Sequence, residues 1–342
     1  MQDKIGKYFK HYLDDFVFIE FTENYITKSG KIDFMKGVPV PVGKEAVEAF
    51  VHDEGLKFDN IAGGMIYVIG VDMNFKYRDK YIEFMKVFNF KILKSIIKQG
   101  LDLAEEEKLE EAAIHLRAAL VIEPDNLDAI YNYGRVCRHL YAKSEDAEFI
   151  MDFKAEATWA LEMTVEKHPN FAQAYYFLGF QYANANLYIK AQLVWQQFLR
   201  YSKHFGDKKE IRAKLKYIEK FVRFEQGYTA IERGHWQEGI ALLEPIQNEV
   251  PDWWNLYFFL GVGYSRMNRT PEAIEMFKKV LAVKPSQHQT MLELAFCYEQ
   301  VGDKQNADKY RKKAELVEPK EPEKLEKPNK PQKQDKSAGK KK

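Results

Sequence analysis

WNLYFFLGVGYSRMNRTPEAIEMFKKVLAVKP, residues 254–285, decides how the rest of the chain is read. Its apolar residues follow a helical period over 255–267 and again over 271–283, on either side of Asn268–Arg269–Thr270. Thr270 is the expected N-cap. Pro271 then falls at the first helical position, where its missing N–H costs nothing. Pro285 ends the second helix. Gly261 and Ala273 let two antiparallel helices approach closely, and Tyr257, Leu260, Tyr264, Phe277 and Leu281 fill the seam around them.

A single helical hairpin cannot bury its own apolar face and needs copies stacked against it. The copies recur at 34 residues. Pro251, Pro285 and Pro319 keep this step, as do Gly227, Gly261 and Ala295, and Gly239, Ala273 and Ala307. At these residues the chain resembles the tetratricopeptide repeat (TPR) family, a 34-residue helix–turn–helix repeat. The resemblance implies an all-α helical-hairpin solenoid of about six repeats over residues 93–321; residues 1–92, which it does not cover, read as a small α+β capping domain.

The expected repeats are 93–126, 127–171, 172–205, 220–253, 254–287 and 288–321. Two departures stand out. Gly134 to Ala157 spans 23 residues where Gly261 to Ala273 spans 12, so the second repeat carries 11 extra. That is about three helical turns, which lengthens both helices without rotating their buried face. Phe149, Ile150 and Phe153 then project, either as an exposed ridge or against the N-terminal region. Residues 206–219 insert before the fourth repeat, and Ile211, Leu215 and Ile218 predict that its first helix starts early. In the last repeat, Lys304, Lys309, Arg311, Lys312 and Lys313 surround a thin apolar stripe, as a terminal repeat in water requires.

Residues 1–92 do not keep the period. We expect a short helix over 2–14, a buried strand at 16–21 (FVFIEF), a hairpin over 24–35 turning at Ser29–Gly30, and an extended segment at 37–42. Pro39 and Pro41 confine that last segment to an edge. A helix follows at 44–52, then a central strand at 65–71 (MIYVIGV) and an exit helix from about Tyr77. Covering the open end of the first repeat is one role for this region; a second binding surface, or the effector of a peptide-sensing regulator, is the alternative.

The family lines its inner groove with the fifth and ninth residues of each repeat. Here the fifth are Ile97, Tyr131, Tyr176, Phe224, Phe258 and Leu292, and the ninth Leu101, Arg135, Phe180, Tyr228, Val262 and Phe296. Arg135 is the single charge. The groove residues singled out are Tyr131, Arg135, Tyr176, Phe180, Phe224, Tyr228, Phe258, Val262 and Phe296. The family's chaperone carboxylate clamp needs Lys and Asn in its first repeat and Lys and Arg in its third. Ile97, Leu101, Gln173 and Phe177 depart from that pattern and only Asn132 fits it, so no clamp is expected. The resemblance implies a non-catalytic scaffold that takes an apolar or amphipathic peptide or partner helix. Internal filling of the lane is the competing reading.

No catalytic, cofactor-binding or metal-binding residue is expected. Gly37 to Gly43–Lys44 misses the phosphate-loop spacing, and Glu45 stands where Ser or Thr would hold magnesium. His11 and His52 lack metal-ligand spacing. Enzyme activity in residues 1–92 is therefore the third and weakest reading. Cys137 and Cys297 fall in different repeats and are expected as buried thiols. No signal-peptide apolar run opens the sequence and no stretch approaches the ~20 apolar residues of a membrane helix, so the expected location is cytoplasmic. The net charge of +1 hides an asymmetry: residues 320–342 carry nine Lys against four acids, +5, and the remaining residues are −4, so the part before the tail gives no general argument for nucleic acid. Residues 322–342 read as a disordered Lys/Pro-rich tail, solubilising or making weak contacts with anionic surfaces.

Overall fold

A computed structural model describes residues 3–51 and 58–317. His52, Pro319 and the Lys/Pro-rich tail lie outside the described residues. The chain divides into two compact units, Met1–Leu178 and Gly179–Lys342.

The short helix expected over 2–14 is a 3₁₀ segment, Gly6–Asp15. Strand β1 (Phe16–Ile19) pairs antiparallel with β2 (Val40–Gly43), with Val17 opposite Val42 and Phe18 opposite Pro41. β1 is shorter than expected and half-exposed, whereas Val40 and Val42 of β2 are buried. The hairpin expected over 24–35 is instead helix α1 (Glu23–Ser29) and a 3₁₀ turn, Asp33–Met35. Thr22 caps α1 by accepting from the Tyr25 N–H, and Gly30 at φ 60° terminates it, so Ser29–Gly30 is a helix stop and not a strand turn.

Helix α2 (Lys44–Val51) falls where expected. The expected central strand at 65–71 is the second half of helix α3 (Phe58–Val71). α3 is buried on nearly every side, by Pro41 of β2, the 3₁₀ segment and the helices that follow. Such a helix has no polar face to reveal its period, and its β-branched residues mimic a strand. Helix α4 (Arg78–Phe88) is the expected exit helix, broken before the hairpins at Asn89–Lys91.

Helical hairpins follow: α5 (Ile92–Glu105) with α6 (Leu109–Ile122), then α7 (Leu127–Lys143) with α8 (Ala147–Lys167). One apolar core runs from Ile5 to Ala160 and joins the N-terminal elements to both hairpins. Gly70 of α3 lies so close to α6 that a Cβ there would stand 2.2 Å from the Ile114 carbonyl oxygen. Arg117 of α6 is buried beside it. Its Nε donates to the Gly70 carbonyl (2.6 Å), and one terminal nitrogen donates to Asp3 Oδ2 (2.5 Å) and the Val71 carbonyl (3.3 Å). The guanidinium thus satisfies carbonyls that the end of α3 leaves without helical partners.

The lengthened second repeat does not leave a bare ridge. Phe149 and Phe153 stack at 4.2 Å, and Tyr8 meets both rings at 4.9 and 5.4 Å. Lys7 pairs with Glu148 (2.5 Å) and Asp152 (3.0 Å), and the Tyr8 hydroxyl donates to Asp152 (2.9 Å). The extra turns therefore serve as the dock for the N-terminal segment.

The division between units falls inside α9 (Ala172–Asn184), whose partner is α10 (Tyr188–Tyr201). In the second unit, α11 (Phe205–Glu232) is a 28-residue helix, as the insertion predicts. α12 (Trp236–Leu243) turns into a 3₁₀ segment, Glu244–Glu249, at Pro245, which removes a helical donor. α13 (Trp254–Arg266) and α14 (Thr270–Val283) are the opening stretch, and α15 (His288–Gln300) and α16 (Lys304–Glu315) close the described chain. Tyr257, Leu260, Tyr264 and Phe277 are buried in the expected seam, with the Phe277 ring against Gly261. Thr270 is not the cap but the first helical residue, and its hydroxyl donates to Gln300 Oε1 (3.2 Å).

One regularity was not anticipated. The fifteenth residue of five repeats is left-handed: Glu107 (φ 64°), Asn186 (57°), Gly234 (81°), Asn268 (59°) and Gly302 (80°). In each, the next N–H returns to a carbonyl five residues back: Lys108 to Leu103, Leu187 to Tyr182, His235 to Ala230, Arg269 to Tyr264 and Asp303 to Tyr298, at 2.9–3.0 Å. This is the Schellman closure of a helix end. The lengthened second repeat instead starts its second helix from Asp146, whose side chain accepts from the Phe149 N–H (2.8 Å).

Candidate functional site

Stacking in register places the fifth and ninth residues of each repeat on the first helix of its hairpin. Consecutive first helices touch, α5 with α7 in the first unit, and α11 with α13 and α13 with α15 in the second. Paired antiparallel helices, small residues at the seam and a Schellman turn at one fixed position recur together through the hairpins. The fold is TPR-like. Its N-terminal end is a small region containing the β1–β2 pair.

In the first unit, Ile97 is buried and Leu101 half-buried. The Tyr131 ring meets Phe171 edge-on at 4.7 Å and Phe177 at 6.4 Å. Burial raises its phenol pKa, against the pull of Arg135 and Arg138. Arg135 is exposed, with its guanidinium 5.9 Å from the Tyr131 ring and a bond to Asn132 Oδ1 (3.3 Å). Asn132 also donates to the Asp128 carbonyl, so its amide is engaged within α7. Arg138, not anticipated, lies 4.4 Å over Phe177, and its Nε is buried with no hydrogen-bond partner. His139 is held below the ordinary imidazole range by burial and then by the two arginines. Tyr176 is half-buried and meets Phe177 at 5.2 Å.

In the second unit the expected lane is partly filled from within. Phe224 and Phe258 are each only 3% exposed. Phe224 packs against Trp253 (5.7 Å) and Phe259 (6.1 Å), and Phe258 against Phe259 and Phe277. These two are core residues, which corrects their reading as surface contacts. Tyr228 stacks on Phe259 at 5.4 Å and remains half-exposed. Phe180 meets Trp195 at 5.1 Å, and Lys214 lies 5.7 Å from its ring. Val262 is half-buried. The last hairpin is open: Leu292 and Phe296 are 44% and 43% exposed. Arg266 lies 6.0 Å from the Phe296 ring, and its guanidinium reaches Glu293 at 3.5 Å.

Phe177 and Phe259, the sixth residues of their repeats, shape this face more than the fifth-and-ninth rule suggests. The signal available in the sequence was two adjacent aromatics, Tyr176–Phe177 and Phe258–Phe259, at the same place in two repeats.

Among solved structures, a MamA from AMB-1 is 21% identical over 55% of this chain and 96% of that chain, with a TM-score of 0.34. MamA from Desulfovibrio magneticus RS-1, residue 41 to its end, is 18% identical over 54% and 94%, TM-score 0.34. The P58(IPK) TPR domain is 18% identical over 66% of this chain and 60% of that one, TM-score 0.35. No family model and no curated protein sequence matches the chain. Among the described residues, no helix is long and apolar enough to cross a membrane, and no group of three or more His, Cys, Asp or Glu is placed to hold a metal ion.

Proposed function

We propose that the chain is a non-catalytic protein-interaction module whose first-helix face takes an apolar or amphipathic segment of a protein partner. The observation that carries this is the exposure of Leu292 and Phe296 on α15, where most apolar residues of the hairpins are buried. An exposed phenylalanine beside an exposed leucine, one helical turn apart, is an anchor of the kind that amphipathic helices bury. Tyr228 and Val262 extend apolar surface on α11 and α13. In the first unit, Tyr131 and Tyr176 both meet Phe177, and Arg135 and Arg138 lie over this smaller aromatic patch, suited to an acidic group on the bound segment. Residues 1–92 act in this reading as the cap on the first hairpin, supported by the continuous core and by the Arg117 contacts. The two buried, unpaired thiols suit the reducing cytoplasm.

The test is capture. Leu292→Ser with Phe296→Ser should remove the captured partner while the helical circular dichroism stays as in the parent, because both side chains are exposed. Retention of the same partner by this variant would remove the basis of the proposal.

A further inference from the structure

The insertion that lengthens α11 carries a pattern that packing does not need. Ile211 and Ile218 are buried and hold the helix down. On another face stand Lys209, Arg212, Lys216, Lys220 and Arg223, separated by three, four, four and three residues. At 100° per residue these five fall within about 80° of arc, a straight stripe about 21 Å long. Lys209, Arg212 and Lys216 are exposed, and Lys220 and Arg223 half-exposed. Arg223 bonds Glu219 (2.7 Å). Among the described residues, no carboxylate pairs with Lys209, Arg212, Lys216 or Lys220.

Beside the stripe lies a cleft of about 490 Å³. Lys216, Tyr217, Lys220 and Arg223 form one wall, and Ile246 and Glu249 of the 3₁₀ segment form the other.

This arrangement opposes what an isolated helix prefers. Asp207 answers the helix dipole in the first turn of α11, but Lys208, Lys209 and Arg212 follow it there with the opposite charge. Arg212 and Lys216, and Lys216 and Lys220, are like charges four residues apart, which destabilises a helix. Like-charge neighbours repeated from Arg212 to Lys220, with Glu219–Arg223 an opposite pair at the end of the stripe, mark a surface that does something else.

We infer that the α11 stripe is a docking surface for an acidic helix of a protein partner, separate from the first-helix face. Charge complementarity selects an anionic occupant. The period selects a helix. Acidic side chains on one helical face recur at the ~5.4 Å pitch that the cations follow, and a helix can pack side chains on the Tyr217 ring where a phosphate backbone cannot. The exposed Tyr217 ring beside the cations gives a partner helix something to pack on.

The test uses the full chain and a labelled helical peptide of about 15 residues, ~22 Å long, with Glu on one face at three- and four-residue spacing. An isomer with the same residues shuffled around the helix is the control. Fluorescence anisotropy should show the striped peptide binding about tenfold or more tighter than the shuffled one, a difference of ~1.4 kcal/mol, and weakening as salt rises. K209E/R212E/K216E should lose the striped peptide and gain binding to a Lys-striped version of it. K209Q/R212Q/K216Q should lose it without reversing charge, and both variants should keep the parent's helical signal. The inference is overturned if the striped peptide fails to bind the parent, if the shuffled peptide binds equally well, or if the charge variants bind as the parent does. It is also overturned if duplex DNA displaces the peptide more readily than unlabelled peptide does, which would make the stripe a nucleic-acid surface.

Discussion

Glu107 is the residue whose conformation least suits its side chain. It holds φ 64° at a turn where the other repeats place Asn186, Gly234, Asn268 and Gly302. A left-handed conformation costs an ordinary L-residue roughly 1–2 kcal/mol, and asparagine tolerates it better. The Glu107–Lys143 ion pair is exposed and offsets little of that. Glu107→Asn should therefore raise stability by about 0.5–1 kcal/mol, seen as a higher urea midpoint with an unchanged slope. His115 acts in the opposite sense. Burial lowers its pKa, although Nδ1–H donates to the Glu111 carbonyl (2.9 Å). The unfolded chain then binds the proton first as pH falls. The stabilising contribution is present above the unfolded value of about 6.5 and is lost as pH falls below it. Thermal melts between pH 7 and pH 5 should show a smaller decline for His115→Gln than for the parent. Neither feature was open to sequence reading, since a positive φ on glutamate leaves no compositional mark and His115 sits within an ordinary helical period.

Helices and strands were legible where they showed an amphipathic period and illegible where burial erased it. The α13–α14 pair has small residues, seam aromatics and prolines at fixed offsets, and it forms as read, apart from the shift of Thr270 into the helix. α11 starts early because Ile211, Leu215 and Ile218 continue its apolar period through the insertion. α3 failed the same reading, because its apolar run is as consistent with a buried helix as with a strand. The structure adds what would have decided it. Gly64 and Gly70 face the Pro41 and Ile114 carbonyl oxygens at distances that exclude a Cβ. Six residues apart on a helix, they point about 120° apart and meet two different elements, whereas in a strand an even separation would put both on one face. Gly70→Ala should cost about 1–3 kcal/mol, because backbone, and not a flexible side-chain end, opposes the new methyl. Equilibrium urea unfolding measures it, and an unchanged midpoint would mean that α3 and α6 part easily.

Across the whole molecule, the 34-residue step carries most of the fold: each second helix buries its seam against the first, and the hairpins repeat this through both units. The step says nothing of residues 1–92, whose structure depends on long-range partners such as Asp3 with Arg117 and Tyr8 with Phe149 and Phe153. It also does not separate open groove positions from filled ones. Phe224 and Phe258 obey the same rule as Phe296, yet Trp253, Phe259 and Phe277 close over them. In the proposed function a protein partner lies on the first-helix face. The most direct test puts the photoreactive analogue p-benzoylphenylalanine in place of Phe296 on α15, and separately in place of the exposed Lys312 on α16 of the same hairpin. A crosslinked partner is expected from position 296 and none from position 312. Equal crosslinking from both positions, or crosslinking from 312 alone, would contradict the proposed function.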